Sequence, residues 1–146
     1  MDKFDLLYYD IAERVATLSH ANRLKVGSVI VKDNRILSYG YNGSPRGFDN
    51  ACEHEVNGEM VTKPEVIHSE MNALMKVAAS HDNTRGASMY ITHSPCVECA
   101  KAILQSGIKE VNYITHYRST HVVALLLAGG VSVNSKDGTV LSTQYN

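Results

Sequence analysis

A chain of 146 residues, 44% of them hydrophobic, has the material for one domain with a single core. Its 14 Lys and Arg nearly cancel its 15 acids and are scattered, so no basic face grips a long nucleic acid, and a small substrate is favoured. Three cysteines, two of them in a C-x-x-C, fit metal binding in a reducing compartment better than a disulfide framework. Acids among the first apolar residues, and the lack of an uninterrupted apolar run, read against a signal peptide or membrane span and for a cytoplasmic protein.

From Phe4 to His20 the apolar residues Phe4, Leu7, Tyr8, Ile11, Val15 and Leu18 recur at helical spacing and predict one buried face. Val26 to Val31 is a β-branched run of strand length. Lys32-Asp33-Asn34-Arg35 supplies turn residues before a second strand, Ile36 to Tyr41, which predicts an antiparallel hairpin. From Asn42 to about Pro64 the period is lost among Gly43, Pro45, Gly47, Asp49, Asn50, Asn57 and Gly58, and a long functional loop is expected.

Helical spacing resumes from Ile67 to Ala79, with His68 in the first turn. Ala87 to Thr92 reads as a strand, and Ala100, Ile103 and Leu104 as a helix whose first turn holds Cys96 and Cys99 and which Gly107 closes. A strand at Val111 to Thr115, a helix at Ser119 to Ala128 and a short strand at Val131 to Val133 follow, before a polar tail from Asn134. Helices between successive strands imply right-handed crossovers and parallel pairing in this half. The expected fold is an α/β, three-layer α/β/α sandwich with a mixed five-stranded sheet, in one domain over 1–146.

The chemistry concentrates in His68-Ser69-Glu70 and Pro95-Cys96-Val97-Glu98-Cys99. One imidazole and two thiols, with Glu70 as a carboxylate that need not be a ligand, are the parts of a catalytic zinc site with an open fourth position. Helix starts favour the thiolates that a metal needs. Taken singly, the C-x-x-C is equally a redox dithiol or two buried thiols, and a lone His is more often structural. Glu70 lies about 200° round an ideal helix from His68, a geometry that the sequence leaves open. Cys52 and His54, with His20 or His93, form a candidate second, structural zinc set, against which stands the ordinary packing of scattered His and Cys.

Together, H-x-E and P-C-x-x-C make the signature of zinc nucleobase deaminases. With Lys25 to Val31 and Gly40-Tyr41-Asn42-Gly43-Ser44-Pro45-Arg46-Gly47-Phe48, the sequence from Arg23 to about Val133 resembles the cytidine and deoxycytidylate deaminase superfamily, in its deoxycytidylate (dCMP) branch. The resemblance implies a cytidine-deaminase-like fold and hydrolytic deamination of dCMP to dUMP, on the route to dTMP. It implies Zn2+ on His68, Cys96 and Cys99, with Glu70 as proton carrier. It further implies that the Ser69 backbone N–H holds the pyrimidine carbonyl, the Ser94 carbonyl the amino group and Asn42 the deoxyribose. Tyr117 would cover the ring, and Arg118, Arg23 and Arg46 compete for the phosphate. Ser69 is a departure, since the family usually has Ala there.

A homohexamer activated by dCTP and inhibited by dTTP, with Mg2+ accompanying the triphosphates, is also implied. Lys25, Gly27, Gly43, Phe48 and Glu59 lie where that branch builds its effector site, and each is equally readable as turn or packing chemistry. The implied location is the cytoplasm, the host's if a phage encodes the chain, with neither nucleic acid nor membrane as partner. Alternatives are a zinc deaminase of cytidine, deoxycytidine or a tRNA adenosine, and a noncatalytic structural-zinc module, which would want a fourth protein ligand.

Overall fold

The computed structural model describes residues 1–117 and 120–139. Helix α1 (Lys3–Ala16) starts on a capping box, in which the Asp2 carboxylate accepts from the backbone N–H of Phe4 and Asp5 and the Asp5 carboxylate from that of Asp2. Its buried face differs from the expected one: Tyr8, Tyr9, Ala12, Val15 and Ala16 are inside, while Phe4, Leu7 and Leu18 are exposed. The cause lies on β1 (Gly27–Lys32), where a Cβ at Gly27 would sit 2.2 Å from the Ala12 carbonyl oxygen. Close approach through small residues therefore turns the helix onto its alanines and tyrosines, away from its largest aliphatics.

Asp33 and Asn34 both adopt left-handed backbone, as a two-residue type I′ turn requires. Strand β2 (Arg35–Tyr41) consequently returns antiparallel along β1. The segment expected to be a long loop contains a second hairpin, β3 (Glu53–Val56) and β4 (Glu59–Thr62), turned by Asn57 and Gly58 at φ 52° and 83°. Asn-Gly is itself a strong hairpin signal, here read only as a chain breaker. Gly43 and Ile67 exchange backbone hydrogen bonds of 3.1 and 2.8 Å, closing the insertion at its base beside His68.

Helix α2 (Ser69–Ala78), β5 (Ser88–His93), α3 (Val97–Gln105), β6 (Glu110–Thr115), α4 (Thr120–Ala128) and β7 (Ser132–Ser135) complete the fold. The main sheet has the order β2-β1-β5-β6-β7, with β1 antiparallel to β5 and the last three strands parallel. The five-stranded mixed sheet is thus as expected, and β7 runs two residues further into the polar tail. On one face Val29, Val31 and Tyr90 pack against α1; on the other Ile30, Met89 and Ile91 join α2, α3 and α4 in the larger core.

One close approach sets the site. A Cβ at Gly40 would lie 2.3 Å from the Ser69 carbonyl oxygen and 2.6 Å from the Ala73 nitrogen, so the first turn of α2 rests directly on β2. Both clashing atoms are backbone and cannot swing aside. Gly40→Ala is expected to cost about 2–3 kcal/mol in urea unfolding and to lower metal affinity by shifting His68.

Candidate metal centre and substrate cavity

His68 and Cys96 are the N-caps of α2 and α3, both with extended backbone, and neither side chain caps its own helix. The Gly43–Ile67 bridge delivers the start of α2, and the end of β5 delivers the start of α3, to the same end of the sheet. His68 Nδ1 lies 3.4 Å from Cys96 Sγ and 3.5 Å from Cys99 Sγ, and the three ligand atoms all fall within 4.8 Å of one another. A tetrahedral zinc with ordinary Zn–N and Zn–S bonds needs an N···S edge of about 3.6 Å. The donor set and its spacing therefore fit zinc, bound through Nδ1. Cys99 is buried and His68 exposed, so the group has one side in the protein and one toward the cavity.

Without metal the two cysteines share one proton. The Cys99 thiol bonded to Cys96 is the main reason that Cys96 is brought down to about 3, with His68 helping and burial opposing. The same bond, then burial and the nearby Glu70 carboxylate, push Cys99 far up. Thiolate character is favoured on the Cys96 side, and metal binding displaces the proton that the pair holds.

Glu70 is only 4% exposed, and burial pushes its carboxyl above the usual carboxylate range. The Ser69 hydroxyl, itself 0% exposed, opposes this by donating to Glu70 Oε1 at 2.7 Å. The Ser69 carbonyl in turn accepts from Ser28 Oγ at 3.0 Å. A carboxyl raised in this way beside an open ligand position suits general acid-base chemistry. Removing a donor from the charged form raises the pKa further. Ser69→Ala is therefore expected to move the acid limb of the kcat profile to higher pH, with metal content unchanged.

A cavity of about 330 Å³ opens on this centre. Its lining includes His68, Ser69, Glu70 and Cys96 together with Arg23, Asn42, Glu53, His93, Ser94 and Tyr117. The Asn42 amide accepts from the Val26 N–H at 2.8 Å and donates to the Leu24 carbonyl at 2.8 Å, pinning the adjoining wall. Ser94 Oγ accepts from the Tyr117 N–H at 2.8 Å, and the Tyr117 ring stands edge-on to His93 with centroids 5.8 Å apart. Arg46 is exposed and does not line the cavity, and Arg118 lies outside the described residues.

None of Lys25, Gly27, Gly43, Phe48 and Glu59 lines it either. Lys25 Nζ donates to the Ser19 carbonyl, Gly27 lies under α1, Gly43 closes the insertion, and Phe48 and Glu59 are exposed. Among the described residues His68, Cys96 and Cys99 form the one group of metal-ligating type, so the second zinc set is not assembled there. Cys52 is buried with its thiol 3.6 Å from the Asn50 carbonyl, and burial raises its pKa. The inserted hairpin's share of the cavity wall, through Cys52, Glu53 and Thr62, was not anticipated, although Asn57-Gly58 marked the hairpin itself.

Residues 2–115 match the model of the cytidine and deoxycytidylate deaminase zinc-binding region. The chain belongs to that family. It is 39% identical over 121 residues to ComE operon protein 2 of Bacillus subtilis, spanning 82% of this chain and 64% of that protein. It is 35% identical over 145 residues to the deoxycytidylate deaminase of Enterobacteria phage T4, with 73% and 75% covered. The dCMP deaminase of cyanophage S-TIM5, solved in complex with dCMP and dUMP, superposes with a TM-score of 0.86 at 41% identity, over 92% of this chain and 98% of that one. A zinc-binding region in the family agrees with the His68, Cys96 and Cys99 cluster. Among the described residues, no helix is long and apolar enough to cross a membrane.

Proposed function

We propose that this chain, as one domain over 1–146, deaminates dCMP hydrolytically to dUMP with release of ammonia, supplying the precursor of dTMP in the cytoplasm. The observation that carries the reading is the cluster of His68, Cys96 and Cys99 at a cavity whose lining includes His68, Cys96, buried Glu70, Arg23 and Asn42. Likeness to the S-TIM5 enzyme, solved with dCMP and dUMP, supports the choice of substrate.

His68, Cys96 and Cys99 would hold zinc. When bound, zinc supplies the Lewis acidity that lowers the pKa of water toward neutrality. Glu70 takes a proton from the attacking water and delivers it to pyrimidine N3, which makes C4 electrophilic. The same carboxyl then carries a proton to the departing amino nitrogen, so one water enters, ammonia leaves and a uracil ring remains. The Ser69 backbone N–H and the Ser94 carbonyl orient the base, Tyr117 covers it and Asn42 meets the deoxyribose. Arg23, which lines the cavity where Arg46 does not, takes the phosphate.

Regulation by dCTP and dTTP in a homohexamer, with Mg2+ on the triphosphates, rests on the family resemblance through Lys25, Gly27, Gly43, Phe48 and Glu59. Incubating the protein with dCMP, CMP, deoxycytidine and a tRNA while following ammonia tests the substrate. Preference for deoxycytidine over dCMP would overturn the phosphate part. Repeating the dCMP assay with each triphosphate tests regulation, which indifference to both removes.

A further inference from the structure

Glu53 opens the inserted hairpin and is only 8% exposed, yet among the described residues no Lys or Arg forms an ion pair with it. Its charge is met instead by backbone. Oε2 accepts from the N–H of Asn22 at 2.9 Å and of Arg23 at 3.2 Å, and Oε1 faces the Asn22 amide nitrogen at 3.4 Å. One carboxylate thus ties the insertion to a segment about 30 residues earlier in the chain. That segment is also held from its other end, where the Asn42 amide bonds Leu24 and Val26. The hairpin base is itself closed by the Lys63 N–H donating to the Cys52 carbonyl at 2.8 Å. Arg23 therefore leaves a backbone fixed on both sides, and both Arg23 and Glu53 line the cavity.

We infer that Glu53 is a positioning residue for nucleotide recognition: it clamps the Asn22–Arg23 backbone so that the Arg23 guanidinium is set in place for the substrate's 5′-phosphate. The inference rests on the reading of the cavity as a nucleoside-monophosphate site. An arginine on an exposed loop spends binding energy on ordering both its backbone and its side chain, and a clamped backbone removes the first cost before the substrate arrives. The effect belongs to binding, because Glu53 acts through Arg23 and not on the reacting atoms. The insertion thereby gains a role in telling a nucleotide from a nucleoside.

Glu53→Ala is expected to raise KM for dCMP about tenfold with kcat within twofold and zinc content unchanged. Glu53→Gln keeps an acceptor oxygen in the place of Oε2 and is expected to stay within twofold of the wild type. In a chain already carrying Arg23→Ala, adding Glu53→Ala is expected to change KM less than twofold, since the group it positions is gone. If Glu53→Ala is insoluble, Glu53→Asp, too short to reach both N–H groups, carries the same cycle. Equal losses for Gln and Ala, a kcat that falls with KM held, or Arg23 and Glu53 effects that multiply would each overturn the inference. A wild type that ignores dCMP would overturn the substrate reading and this inference with it; multiplying effects in an active wild type overturn this inference alone.

Discussion

Glu70→Gln is expected to retain zinc and to lose about 10³-fold in kcat, because the amide can neither take a proton from water nor hand one to N3. The substitution is close to isosteric in a site only 4% exposed, so packing is preserved. Its effect on stability has the opposite sign. Burial raises the Glu70 pKa above the unfolded value, so the metal-free folded chain bears the cost of a desolvated charge as pH rises. Below the unfolded pKa the group is neutral in both states and that cost vanishes. The metal-free Glu70→Gln chain should therefore melt above the metal-free wild type at pH 8, with the difference shrinking as pH falls toward about 4. Ammonia release by stopped assay, metal analysis and thermal melts at both pH values check the three parts. Undiminished deamination would remove Glu70 from the mechanism.

The His68, Cys96 and Cys99 cluster was legible because its two motifs are local. His68-Ser69-Glu70 and Cys96 to Cys99 each sit at a helix start announced by apolar periodicity, one delivered by the Gly43–Ile67 bridge and the other by the end of β5. The angle of Glu70 was not legible. His68 proved to be an N-cap with extended backbone, so helical geometry does not relate its side chain to that of Glu70. The walls of the cavity were harder still. Glu53 has partners at Asn22 and Arg23, and no pattern around position 53 encodes them. The turned face of α1 depends on Gly27, a strand residue beneath the helix, and periodicity within the helix cannot see it. Sequence does not separate Arg23 from Arg46, whereas in the fold Arg23 lines the cavity and Arg46 does not.

Removing a ligand should undo the centre more completely than removing its proton carrier. Cys99 is the buried member of the group, and Ala in its place leaves the small void of one sulfur. With two donors left, zinc affinity should fall by more than the about 10–100-fold that indirect supporting contacts are worth. After dialysis Cys99→Ala should hold less than about 0.1 zinc per chain and show no measurable deamination. Zinc bound only by the folded state adds about 4 kcal/mol of stability when free metal exceeds Kd by about 1,000-fold. A chelator should accordingly lower the Tm of the wild type and leave that of Cys99→Ala unmoved. The pH dependence follows from the thiol proton that metal binding displaces, so zinc affinity should weaken as pH falls, which metal titrations at two pH values check. A noncatalytic zinc module would show the same chelator shift, but Glu70→Gln would then change nothing that zinc binding or ammonia release could register. The two substitutions together separate a metal that holds the fold from one that the fold puts to chemical use.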